Sequence, residues 1–404
     1  MDCRSGGSVD TDKVFVAQKA SVPVWLLGSM TLSGTLGIHI FAPALVVASR
    51  ALGSSAAELQ LGVSLYVWGL ALGQLFHGPL SDRFGRRPIL LWSTGVYTAA
   101  SFIAAAAGSG GFFNLCRFMQ ALGGSAGMVI ARTIVRDITT EEKSTGSLAK
   151  LNLMLLVGPG LGPMIGGFLV VAFGWQSIMA LLGLAGIFNI VAISMFLPET
   201  GRPKSSSGRA VLTNYAKLLR SRRFMASAIG GGCVTTGWYA FLSAAPFVYQ
   251  GGFHLTPDAT GLHLGIVIAG AWVGSFIASR RSSHWKPLQM LAIGGRLSLC
   301  AALSLLAMYL AGLEHPVLVT AAMFAFTCGV GLAGPAALAM ATSVDPAAFG
   351  SASGLYGCIQ MIVGALAAAG AGFGPNKAMA AIAILIGCQS AAIGFFRKAN
   401  RAAS

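Results

Sequence analysis

Few side chains in this 404-residue chain are equipped for chemistry, and most of those are polar residues set in apolar runs. Asn114, Arg117 and Gln120 recur every three residues in such a run, so on a helix they share one face. At 1.5 Å per residue Arg117 lies about two turns inside the run. A charge at that depth is expected to face a wet cavity rather than lipid. Thr31, Thr35 and His39, spaced by four in the first run, form a second polar stripe. Histidine exchanges protons near neutral pH, which suits His39 to proton carriage. At a depth similar to that of Arg117, it is expected to feel that charge. A structural His39 bonded to a carbonyl or hydroxyl is the competing reading. His263 is a further titratable group inside a run, and His77 reads as structural. The twelve acids sit in tails, loops or run ends, and none lies deep in a run.

Aromatic and amide groups at run centres complete a candidate pocket: Tyr66 and Trp68, then Trp238 and Tyr239, then Tyr356 and Gln360. Apolar walls with sparse polar groups are what a small-molecule site needs. Each aromatic could equally serve packing or an interfacial belt.

The elements that carry these groups are read from composition. The chain is 55% hydrophobic and 10% charged, against about 25% charged in soluble domains. Mean hydropathy is +0.73. Apolar runs long enough to cross a bilayer fall near 22–47, 58–79, 88–108, 112–132, 145–172, 177–197, 224–248, 259–279, 287–311, 316–342, 348–373 and 377–396. The reading is an all-α membrane protein of twelve transmembrane helices. Residues 1–21 and 397–404 form terminal tails. Residues 22–197 and 224–396 form six-helix halves, and 198–223 is a linker in which Leu212, Tyr215, Leu218 and Leu219 suggest a short basic helix on the inner leaflet.

The net charge of +15 is not a nucleic-acid footprint. Arg50 and Lys377 lie on one side of the membrane and Arg117, Arg132 and Arg296 within runs. All other Lys and Arg fall on the opposite side, which the positive-inside rule makes cytoplasmic, with both termini there. The seven cysteines show neither metal spacing nor a disulfide framework. No phosphate-binding loop of the G-x-x-x-x-G-K-[ST] type occurs, so ATP is not the direct energy source, and no cofactor is expected. Scattered histidines argue against a membrane enzyme.

Between the second and third runs stands Gly78-Pro79-Leu80-Ser81-Asp82-Arg83-Phe84-Gly85-Arg86-Arg87-Pro88. Gly85 suits a tight turn and Pro88 the first turn of a helix. This stretch resembles the cytoplasmic signature loop of the major facilitator superfamily, G-x-L-a-D-r-x-G-r-[RK]. Arg117-Phe118-Met119-Gln120-Ala121 resembles that superfamily's R-x-x-Q-G motif, with Ala121 for Gly. Gly158-Pro159-Gly160-Leu161-Gly162-Pro163-Met164-Ile165-Gly166-Gly167 resembles the motif of its drug:proton antiporters. Phe241 to Tyr249 and Gly350 to Gln360 are similar to the bicyclomycin/chloramphenicol-resistance (Bcr/CflA) branch.

The resemblance implies the major facilitator fold and a monomeric exporter of small molecules in a bacterial inner membrane. It implies exchange for protons by alternating access about a midplane site. It also implies that Asp82 reaches the N-terminus of the eleventh span near Gly350. One departure stands out. Where that branch reads D-x-Y-x-P in the first span, this chain reads His39-Ile40-Phe41-Ala42-Pro43. The usual coupling acid is replaced by His39. An exporter of an anionic or neutral metabolite is the alternative.

Overall fold

The computed structural model describes residues 22–138, 158, 160–200, 208–281, 284–344, 349–372 and 376–401. Among them ten helices are long and apolar enough to cross a membrane. The first span is α1 (Val24–Phe41) continued by α2 (Leu45–Ala51) through a 3₁₀ turn at Ala42–Ala44 that holds Pro43. Helix α3 (Ala56–Phe84) starts on a Ser55 cap, whose hydroxyl accepts from the Glu58 N–H at 3.1 Å. It stops at Gly85, whose φ of 98° is open only to glycine without strain. Helix α4 (Arg86–Ala105) follows at once, then α5 (Gly110–Ile138), α6 (Gly160–Phe173) and α7 (Gln176–Phe196).

The linker helix α8 (Gly208–Arg220) precedes α9 (Arg222–Thr236) and α10 (Tyr239–Pro246). The last five helices are α11 (Pro257–Arg281), α12 (Pro287–Leu310), α13 (Pro316–Thr342), α14 (Phe349–Gly370) and α15 (Lys377–Arg401). Three of these begin on a proline, whose missing N–H costs nothing in the first turn.

Two expected spans differ from the single runs read in the sequence. The described part of the fifth is α6, and residues 145–157 and Pro159 lie outside the described residues. The seventh is broken. The Thr235 and Thr236 hydroxyls bond back to the Gly231 and Gly232 carbonyls at 2.6 and 2.8 Å, which bends a helix. The chain turns at Gly237–Trp238, resumes as α10, and ends in a π-turn over Phe247–Gly252.

The twelve spans form two six-helix halves. In the first, α3 and α4 pack on α5 and α7 packs on α4; in the second, α11, α12 and α9 pack on α13, and α12 and α9 also on α15. Helix α3 meets α14 across the halves. Large apolar side chains point outward, Trp92, Phe173, Met195 and Leu310 each being about 70% exposed. Polar ones such as Asn189, Gln120 and Gln389 are buried. That inversion fits lipid as the solvent.

Candidate functional site at the seam between the halves

His39 lies on α1 and is buried at the seam. Its Nδ1 stands 2.8 Å from the Thr35 carbonyl, which can only accept, so Nδ1 carries the hydrogen. Nε2 is therefore an acceptor, and it is buried with no hydrogen-bond partner among the described residues. The ring stacks on Trp238 of the other half at 5.6 Å and 17°, and meets Tyr239 at 6.2 Å. The break in the seventh span puts both rings there. On α14, Gln360 donates to the Thr235 hydroxyl at 2.6 Å, and its carbonyl accepts from Thr236 at 2.7 Å. Tyr356 packs where a side chain on Gly231 would stand. His39, Trp238 and Tyr239 thus form one group, with Gln360 and Tyr356 bracing α9 behind it.

The expected partnership of His39 with Arg117 is absent. Arg117 donates to the Gly37 carbonyl at 2.5 Å and to Gln120 Oε1, while Gln120 donates to Ser101 at 2.6 Å. The guanidinium lies over the Tyr66 ring at 4.1 Å and Phe41 at 5.3 Å. Tyr66 in turn donates to the Gly34 carbonyl at 3.0 Å. Gly37 and His39 are two residues apart, about 200° around a helix at 100° per residue. Arg117 therefore sits behind α1, inside its own half, as a fully buried clamp of α1, α3, α4 and α5. Among the described residues its surroundings are protein groups and not an open cavity. The expected polar stripe on α1 is also closed. Thr31 donates to the Leu27 and Gly127 carbonyls and Thr35 to Leu32.

The glycine-rich stretch of α6 is a thin slab with two working faces. A side chain at Gly158 would meet Leu32 and Thr35, one at Gly162 would meet Ile40 and His39, and one at Gly166 would meet Ile40, all on α1. The opposite face meets α11. Gly160 lies against Trp272, Pro163 against Gly261, and Gly167 against Pro257 and Asp258. Pro159 is outside the described residues. Gln60 donates to Ser243 at 3.2 Å at the same end of the seam, the end distal to the signature loop.

At the loop itself Asp82 pairs with Arg86 at 2.5 Å, and Arg86 reaches Ser81 Oγ at 2.6 Å. Among the described residues Asp82 is held by this local pair, and the expected contact with the head of α14 is not seen. Tyr215 of α8 stands between them. Its hydroxyl is 3.7 Å from the place of a side chain on Gly354. Burial, then Cys358 and Asp82, push its phenol above the usual range. Arg83 lies over the Phe84 ring, and Gly78 faces Val129. Sequence reading missed Glu199. Its carboxylate accepts from the Arg86 N–H at 2.8 Å and the Arg87 N–H at 3.2 Å, capping α4 where the helix dipole favours an anion. Arg87 donates to the Ser194 carbonyl at 2.8 Å. The signal was available, since Glu199 is the acid that directly follows the sixth run in a basic linker.

Among the described residues no three His, Cys, Asp or Glu gather to hold a metal. The chain is 31% identical over 350 residues to an uncharacterized MFS-type transporter, YdgK, of Bacillus subtilis (strain 168), covering 85% of this chain and 86% of the relative. It is 25% identical to a bicyclomycin resistance protein homolog of Haemophilus influenzae (strain ATCC 51907 / DSM 11121 / KW20 / Rd), covering 84% and 86%. Its fold matches the crystal structure of a D-xylose-proton symporter with a TM-score of 0.76 at 14% identity, covering 93% and 96%. Residues 27–368 match the family model of the Major Facilitator Superfamily. With the two halves, the loop capped at Glu199 and the slab of α6 in place, this chain is a member of the major facilitator superfamily of transporters.

Proposed function

We propose that this protein exports small, largely apolar molecules, antimicrobial drugs among them, across a bacterial inner membrane in exchange for protons. Residues 22–197 and 224–396 are the moving halves, joined by 198–223, and the chain works as a monomer with both termini cytoplasmic. The observation that carries this reading is the His39 group. A single acceptor, Nε2, lies buried and unsatisfied where the ring of His39 from the first half meets two rings of the second. Such an atom calls for a donor, and alternating access would supply either a ligand or a proton. A proton on Nε2 leaves the bond to Thr35 intact and places a cation against the Trp238 face. The similarity to a bicyclomycin resistance protein homolog supports a drug as the cargo.

The anionic-metabolite alternative rests on Arg117 and His39 in a cavity without an acid. That guanidinium is turned away from the seam and engaged by Gln120, Gly37 and two rings, so the drug reading is preferred. A susceptibility panel in an efflux-deficient host tests it. Expression of the chain raises the inhibitory concentration of at least one drug, and His39→Gln at matched expression removes that gain. Unchanged susceptibility across the panel overturns the reading and sends the search to metabolite exchange.

A further inference from the structure

The three histidines within spans are held differently. His77 has both ring nitrogens bonded, to Ser125 at 3.0 Å and Ser93 at 2.9 Å, inside one half. His39 has an orphan nitrogen at the seam. His263 on α11 is only partly buried and belongs to a network at the distal end. Its Nδ1 lies 2.7 Å from the Thr320 hydroxyl of α13. The same oxygen is 2.6 Å from the Tyr249 hydroxyl and 2.8 Å from the Pro316 carbonyl. The carbonyl only accepts, so the network assigns the Thr320 proton to it. The Thr320 oxygen then accepts from Tyr249 and from His263 Nδ1–H. A proton arriving on Nε2 breaks none of these bonds. It adds a cation to a ring already stacked on Tyr249 at 5.1 Å and 21°.

Tyr249 sits in the π-turn Phe247–Gly252, closed by the Phe253 N–H to the Val248 carbonyl at 3.1 Å. Single π-turns recur at functional sites. The chain leaves this one through His254 at a φ of 57°, the one non-glycine residue with positive φ among those described. Within the turn, Gln250 crosses to the other half and donates to the Pro43 carbonyl at 2.7 Å, at the kink of the first span.

We propose that this π-turn is a proton-read latch: a charged His263 clamps Tyr249, and Tyr249 holds Gln250 on the Pro43 carbonyl, shutting the distal end. If that end faces outward, external acid closes it behind departing cargo, the direction an antiporter needs. The meaning for transport rests on the function proposed above, but the test uses no substrate, so the two fail separately. Other titratable groups on the surrounding elements are Tyr249 in the turn and His254 after it, Glu314 and His315 at the head of α13, Asp258 at the head of α11, Tyr309 at the end of α12, and Lys377 at the head of α15, whose ammonium lies 3.5 Å over the Phe247 ring. None of them except Tyr249 contacts the His263 ring among the described interactions.

The reporter is Ser64→Cys in a cysteine-free background. Ser64 is buried one turn from Gln60, on the same face of α3. Its reaction with an impermeant maleimide is divided by that of an exposed Ser109→Cys control at each pH, which cancels the chemistry of the reagent. The ratio falls about three- to ten-fold from pH 8 to pH 5 in the parent, the size expected for a cation placed over an aromatic face. His263→Gln makes it flat, and Gln250→Ala raises it several-fold at both pH values. Tyr249→Leu, which removes the ring on which His263 stacks, also flattens it and serves if the histidine variant does not fold. Parent-like pH dependence in His263→Gln or Tyr249→Leu, or parent-like labelling in Gln250→Ala, overturns the proposal.

Discussion

Replacing Gly167 by alanine separates gating from folding. A Cβ there would stand 2.6 Å from the Pro257 carbonyl oxygen and 2.9 Å from Asp258 Cα. Both are backbone atoms, which cannot rotate aside. Carbon atoms in contact prefer about 3.5–4.0 Å, so α6 and α11 must part by about 0.5–1 Å. Overpacking of this kind costs about 1–3 kcal/mol. The contact joins the two halves, so the cost falls on the state with the distal end shut and not on the state with it open. The equilibrium should shift toward distal opening by roughly 5- to 150-fold. Gly123→Ala is the control. Its Cβ would stand 2.6 Å from the Tyr97 nitrogen, an equally severe contact, but between α5 and α4 of one half. It should lower thermal stability and leave the equilibrium alone. Spin labels at Gly108 and Leu313, in distal loops of opposite halves, report the distance by double electron–electron resonance. If well-folded Gly167→Ala shows the parent distance distribution, the α6–α11 contact does not set the state, and the argument from its glycines fails.

Further expectations concern the loop, the coupling group and the topology. Glu199→Gln removes the charge that caps α4 and one of its acceptors, costing about 1–2 kcal/mol. Thermal unfolding in detergent should drop, whereas an unchanged melting profile would remove the carboxylate from the account of the loop. In proteoliposomes with an imposed pH step, His39→Gln should bind ligand but lose uphill accumulation. His39→Asp should restore it and favour cationic cargo, because a buried carboxylate needs a partner. Uphill transport by His39→Gln would make that histidine structural. A cysteine at Leu255 should react with impermeant reagent from outside the cell and one at Ser206 only from the cytoplasm. The reverse pattern would invert the proposed topology.

The sequence by itself determined the spans. In lipid each backbone polar group must be satisfied within its own helix, so hydropathy marks crossing segments without knowledge of their neighbours. The signature loop was equally legible, because its turn depends on Gly85 and on residues next to it. The seventh span resisted because its break at Gly237–Trp238 falls inside a continuous apolar run, and hydropathy does not report it. The candidate site was legible as a set of residues but not as a grouping. His39, Trp238 and Tyr239 could each be picked out, yet their stacking joins positions about two hundred apart in the chain. Depth along a helix can be counted from sequence, whereas the face each side chain presents, and to which neighbour, is fixed only when helices cross. That is why Arg117 and His39, alike in depth, parted to opposite sides of α1. It is also why Glu199 and Gln250 acquired their roles only through partners more than a hundred residues away.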